Sequence, residues 1–135
     1  MAILNQLETP GGVAQVTQQL TEARRHDSQA QLFPEITVSI IGFDYMREGD
    51  VKSALDVLKL VLLAYPESAG AHDNLASAYL KIGEKDLARQ HGEKALALLD
   101  SHSVPESSWT DTDEYRGEIR RSVQKTLKKL SEKQE

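Results

Sequence analysis

The sequence contains no cysteine. Disulfides, thiolate zinc sites and a cysteine nucleophile are excluded, while the compartment stays open between cytoplasmic and extracytoplasmic. It also lacks any apolar run near the roughly 18–20 residues of a bilayer-spanning helix, so no membrane partner is expected. Residues 1–6 lack the basic and apolar regions of a signal peptide, as would a piece cut from a longer protein. Positive charge is short as well. The formal net charge is −5, which speaks against nucleic acid as a partner.

Chemistry-bearing patterns are missing too. There is no Gly-x-Ser-x-Gly, His-Glu-x-x-His or phosphate-loop motif. Gly11-Gly12 has no flanking strand or lysine that would make it one. The histidines His26, His72, His91 and His102 include no pair at metal-ligand spacing on one helix. His72 and His91 could meet across a helical hairpin, as a packed pair rather than a metal site, because a zinc site takes more protein ligands than a pair supplies. No catalytic, cofactor-binding or metal-binding residue is expected, and the chain alone is expected to hydrolyse neither simple esters nor β-lactams.

What is present is a repeat. With 135 residues, 39% of them apolar and 27% charged, the chain suits one domain with a modest core. Ile41, Gly42, Tyr45, Gly49 and Ala54 recur as Leu75, Ala76, Tyr79, Gly83 and Ala88, each pair 34 residues apart. The pattern reads as two helical hairpins. Gly42 and Ala76 let the second helix approach the first. Gly49 and Gly83 end the first helix in the left-handed region. Ala54 and Ala88 are small positions on the second helix, and Pro66 stops the second helix of the first hairpin. Asp100 replaces that proline in the second hairpin and leaves its end less defined.

These positions resemble tetratricopeptide repeats, whose period is about 34 residues. The resemblance implies an all-α fold, a superhelix of about six helices. It comprises two full repeats (35–68 and 69–102), a preceding segment with a degenerate half repeat (1–34), and a linker with a capping helix (103–135). Val38 and His72 stand where the family often has Trp. Gly92 stands where the second helix usually carries an aromatic and the first repeat has Leu58, so a thin spot in the packing is expected there.

The flanking segments follow the same logic. Thr9 is expected as an N-cap with Pro10 in the first turn. Val13, Val16, Leu20 and Ala23 then fall on one helix face. Ile3, Leu4 and Leu7 are the remnant of a missing first helix, and residues 26–33 form a polar linker. At the other end a Ser-rich stretch with Pro105 leads to capping candidates Asp111, Thr112 and Asp113. Tyr115, Ile119, Val123, Leu127 and Leu130 then line one face of a final helix. Its Arg116, Arg120, Arg121, Lys125, Lys128 and Lys129 read as the solvated side of a cap, with cations favoured near the helix C-terminus.

The resemblance also implies a function, the binding of a protein or peptide on the concave face formed by the first helices. By register that face holds Ser39, Phe43, Met46 and Arg47 in the first repeat, and Asp73, Asn74, Ser77, Leu80 and Lys81 in the second. Asn74 stands where some family members hold a peptide's terminal carboxylate, but Ser39 and Phe43 replace the Lys and Asn of that clamp. Chaperone-tail binding of that type is not expected.

The second helices differ. Val57, Leu60 and Leu63 correspond to His91, Lys94 and Ala97. This additional apolar stripe needs a cover. The helix around Val13 is expected to supply part of it, leaving enough exposed for weak homodimer formation or docking onto another domain. Residues 65–79 resemble the repeat tail of some bacterial serine hydrolases, both β-lactamase-like enzymes and α/β-hydrolase esterases. That likeness implies an alternative, the C-terminal accessory part of a larger hydrolase, with the chain's own catalytic domain as partner.

Overall fold

The computed structural model describes residues 6–7, 9, 11–101 and 113–132. Among them are six helices and no strand. We number them α1 (Gly12–His26), α2 (Glu35–Arg47), α3 (Val51–Ala64), α4 (Ala69–Lys81), α5 (Lys85–Ser101) and α6 (Asp113–Glu132). The fold is all-α and tetratricopeptide-like. The chain divides into two compact units, Met1–Pro66 and Glu67–Glu135, each built around one helical hairpin.

The turns of the two hairpins repeat the same pair of closing bonds. In the first unit Gly49 has φ 84°; its N–H donates to the Met46 carbonyl, and the Asp50 N–H donates back to the Tyr45 carbonyl. In the second unit Gly83 has φ 79°; its N–H donates to Leu80 and that of Glu84 to Tyr79. This is one and the same left-handed helix stop, a Schellman turn, 34 positions on. A side chain at either glycine would be held in a conformation that L-residues rarely adopt. The next helices also start alike, with Ala54 donating to Asp50 and Ala88 to Glu84.

Within the first unit, α2 and α3 close on a residue with no side chain. A methyl built on Gly42 would lie 2.8 Å from Leu58 Cδ2 and 3.7 Å from Val57 Cγ1. The core is Val38, Ala54, Leu58 and Val61, with Val16 and Leu20 buried on α1. Asp50 caps α3, its carboxylate accepting from the Ser53 N–H at 3.1 Å. At the other end α3 stops at Ala64, before Pro66.

The linker between α1 and α2 is pinned rather than loose. Tyr65 donates its hydroxyl to the Phe33 carbonyl at 2.6 Å, and the two rings sit 6.2 Å apart. Burial raises the Tyr65 pKa, with Glu35 adding to the effect. Arg24 donates to the carbonyls of Ala30 and Ala64, so one guanidinium ties the linker to the end of α3.

The start of α1 differs from expectation. Its N-cap is Gly11 at φ 78°, without a side-chain bond. Thr9 instead donates its hydroxyl to the Gln6 carbonyl. That carbonyl lies so close to Gly12 that no side chain would fit there. A short turn before the helix has replaced the capping bond. Pro10, Ile3 and Leu4 lie outside the described residues, whereas Leu7 is buried.

Within the second unit α6 packs on both α4 and α5. Ala69, Ala95, Leu98, Leu99, Ile119 and Val123 form its core. The expected thin spot at Gly92 is absent. A methyl there would lie 3.3 Å from Leu127 Cδ2 and 3.5 Å from Val123 Cγ1, so α6 occupies the space an aromatic would have taken. Without a proline, α5 runs on to Ser101. Tyr115, expected on the buried face, is exposed, and Thr126 is buried instead. The capping candidates Asp111 and Thr112, with Pro105 and His102, lie outside the described residues.

Candidate functional site

A helical module can bind on the outer faces that its own packing leaves open, so the exposed side chains are the relevant ones. On α2 the residues Ile36, Ile40 and Phe43 follow at spacings of 4 and 3 and share one face. All three are exposed, Ile40 by 47%. Their counterparts 34 positions on are Gly70, Asn74 and Ser77. Sequence reasoning found Phe43 but missed Ile36 and Ile40, although this contrast between repeats was a readable signal.

The other residues expected on the binding face divide. Ser39 is buried, only 1% exposed, inside the first unit. Met46 is half-buried and Arg47 exposed, the latter paired with Asp44 one turn earlier. In the second unit Asn74, Ser77 and Leu80 are half-buried and Lys81 is exposed. Asp73 is buried and turned to α6, where the Ser122 hydroxyl donates to it at 2.8 Å. Desolvation outweighs that bond and pushes its carboxyl up to about 6. Ser39 and Asp73 are thus interior residues and not an open contact surface. Helical spacing alone could not reveal this for Asp73, whose partner comes from 49 residues away.

The stripe on α3 is also divided. Val57 and Leu60 are buried, while Leu63 is 37% exposed. Val57 lies against Gly42 of its own hairpin, contrary to the expectation of an outside cover for the whole stripe. Leu60 and Leu63 instead face the start of α1. Together with Leu7, Val13, Ala14 and Thr17 they line a cleft of about 770 Å³.

His72 and His91 do meet. Their Nδ1 atoms are 3.0 Å apart, and His91 stacks on Tyr79 with ring centroids 5.6 Å apart. No group of three or more His, Cys, Asp or Glu side chains able to hold a metal occurs among the described residues. The basic face of α6 serves partly as a clip. Arg116 donates to the Leu99 carbonyl, and Arg120 pairs with Asp100 at 2.7 Å. Both meet the C-terminal end of α5, where cations are favoured. No described helix is long and apolar enough to cross a membrane.

No protein-family model and no curated protein matches the sequence. Among solved structures the chain is similar to that described as the crystal structure of MamA, at 19% identity and a TM-score of 0.44. The match covers 93% of this chain and 90% of that one. The identity and the TM-score are low, and the helical-repeat assignment stands on the chain's own duplicated turns.

Proposed function

We propose that this chain is a protein-interaction module without chemistry of its own, which holds a partner segment on the outer face of α2. The supporting observation is the exposed row Ile36, Ile40 and Phe43, which the hairpin does not need, since the other hairpin is built with Gly70, Asn74 and Ser77 in those places. Exposed apolar side chains grouped on one face mark interaction sites more often than isolated ones do. Met46 and Arg47 extend the face toward the end of α2. Repeats at 35–68 and 69–102, flanked by 1–34 and 103–135, are the units of this reading. The same face serves the second reading, an accessory part of a larger serine hydrolase, where it would dock on the catalytic domain.

Peptide display against the intact chain tests the proposal. Selected peptides are expected to lose at least tenfold in affinity on Ile40→Asp and on Phe43→Asp, with helicity unchanged by circular dichroism. Selected peptides that bind both variants as well as the parent would overturn it.

A further inference from the structure

The cleft between α1 and α3 has the size of a ligand site, since such sites run from about 300 to 1,000 Å³, and it has a definite chemical character. Val13 and Ala14 form one wall, Leu60 and Leu63 the other. Ala14 and Leu63 remain exposed, so the walls face each other without closing. Packing of the hairpin does not require this apolar surface. In the second hairpin the positions of Leu60 and Leu63 are held by Lys94 and Ala97.

The charged lining of the cleft is predominantly acidic. Among the described residues three charged side chains line it, Asp50, Asp56 and Lys59. Lys59 is already engaged in an interaction within the chain. Asp50 is exposed, and hydrogen bonds from the Ser53 side chain and then its backbone N–H hold its carboxyl below the usual range, so it is ionised at neutral pH. Asp56 is exposed and makes no ion pair among the described residues. Asp56, Leu60 and Leu63 follow at spacings of 4 and 3, a carboxylate and two leucines on one helix face. The net charge of −5 would draw a cation toward the chain over longer range.

We propose that this cleft receives a basic amphipathic helix of a partner protein, its leucine-type side chains between α1 and α3 and its Lys or Arg beside Asp50 and Asp56. Helix in groove is a common mode of peptide recognition, read as anchors at spacings of three and four. α3 has 14 residues, or about 21 Å at 1.5 Å per residue, which sets the partner helix at three to four turns. This surface differs from the α2 face, so either proposal can fail without the other.

The test uses the intact chain and three fluorescent 14-residue peptides. One is a Leu/Lys amphipathic helix, the second has Glu for every Lys, and the third is the Leu/Lys composition scrambled to remove the apolar face. Anisotropy titration is expected to show binding of the first at least tenfold tighter than of the others. Asp56→Lys is expected to weaken it at least tenfold, and Glu93→Lys, an exposed acid on α5, less than twofold. Leu63→Glu, at an exposed position, is expected to abolish binding with the circular dichroism spectrum unchanged. Methyl shifts on binding are expected at Val13, Leu60 and Leu63 and not at Ile36 or Ile40. Equal binding of the Lys and Glu peptides, equal binding of the scrambled one, or indifference to Asp56→Lys would overturn the proposal. So would a dimer of the free chain that Leu63→Glu dissolves, since a second copy would then be the occupant.

Discussion

The two hairpins share a turn but differ in what closes them. In the first, the small residue is Gly42 on the leading helix, and the large side chain of Leu58 on the trailing helix fills the gap. In the second, the leading helix has Ala76, the trailing helix has Gly92 in place of Leu58, and the filling side chains Leu127 and Val123 come from α6. One unit thus closes its core with a residue of its own hairpin, and the other with a helix that follows it. A repeat position is conserved here as a volume to be filled, and the residue that fills it can come from elsewhere.

The largest test of this contrast is Leu58→Ala. Leu58 is buried against Gly42 and supplies the two nearest atoms there. A loss of about 2–5 kcal/mol is expected in chemical denaturation, as for buried leucines in general. A loss below about 1 kcal/mol would mean that the first hairpin is also closed from outside.

Next in size is a pH effect confined to the second unit. The Asp73 carboxyl is raised from 3.8 to about 6 by burial, so the folded state binds its proton more tightly than the unfolded chain does. The ionised form therefore costs stability above about pH 6, and the cost is relieved as pH falls from 7 toward 4. Asp73→Asn should remove that slope and raise stability near pH 7–8 by on the order of 1–3 kcal/mol. Urea melts across this range would show it. A variant less stable than the parent at pH 8 would mean that the Ser122 bond outweighs desolvation.

The smallest effect is the most discriminating. Gly42→Ala puts a methyl 2.8 Å from Leu58. The crowding costs about 1–3 kcal/mol, against about 1 kcal/mol gained in helix propensity. Gly92→Ala meets the flexible end of Leu127 at 3.3 Å and Val123 Cγ1 at an ordinary 3.5 Å, so mild crowding offsets the same gain in helix propensity. It should be near neutral, within about 0.5 kcal/mol. Equal effects of the two substitutions, measured by thermal and urea unfolding, would erase the distinction drawn between the hairpins.

Much of this architecture was legible because it is local. Tyr45, Gly49 and Ala54 recurring as Tyr79, Gly83 and Ala88 carry backbone requirements met within a few residues, and the turns follow. The same locality exposes Ile36, Ile40 and Phe43 once they are set beside Gly70, Asn74 and Ser77. Illegible features depended on distant partners. Gly92 read as a defect because α6 lies some thirty residues on. Asp73 read as a surface acid because Ser122 was not in view. Thr9 failed as a cap because the chain entered α1 through Gly11, two residues further on.

The matched turns also favour an order of assembly in which local contacts come first. Residues 48–50 join α2 to α3 and residues 82–84 join α4 to α5. Loops even of about ten residues close within roughly 10–100 ns, so each hairpin can nucleate early and without waiting for the other. Val123 and Leu127 must instead search across more than thirty residues to reach Gly92, against a loop-closure entropy that grows with that separation. Loop-closure entropy thus favours a sequence in which the second hairpin forms with its seam at Gly92 still open and α6 docks on it afterwards. During that interval the glycine that looks like a flaw in the finished core is a vacant landing strip, smooth enough for a late helix to settle on.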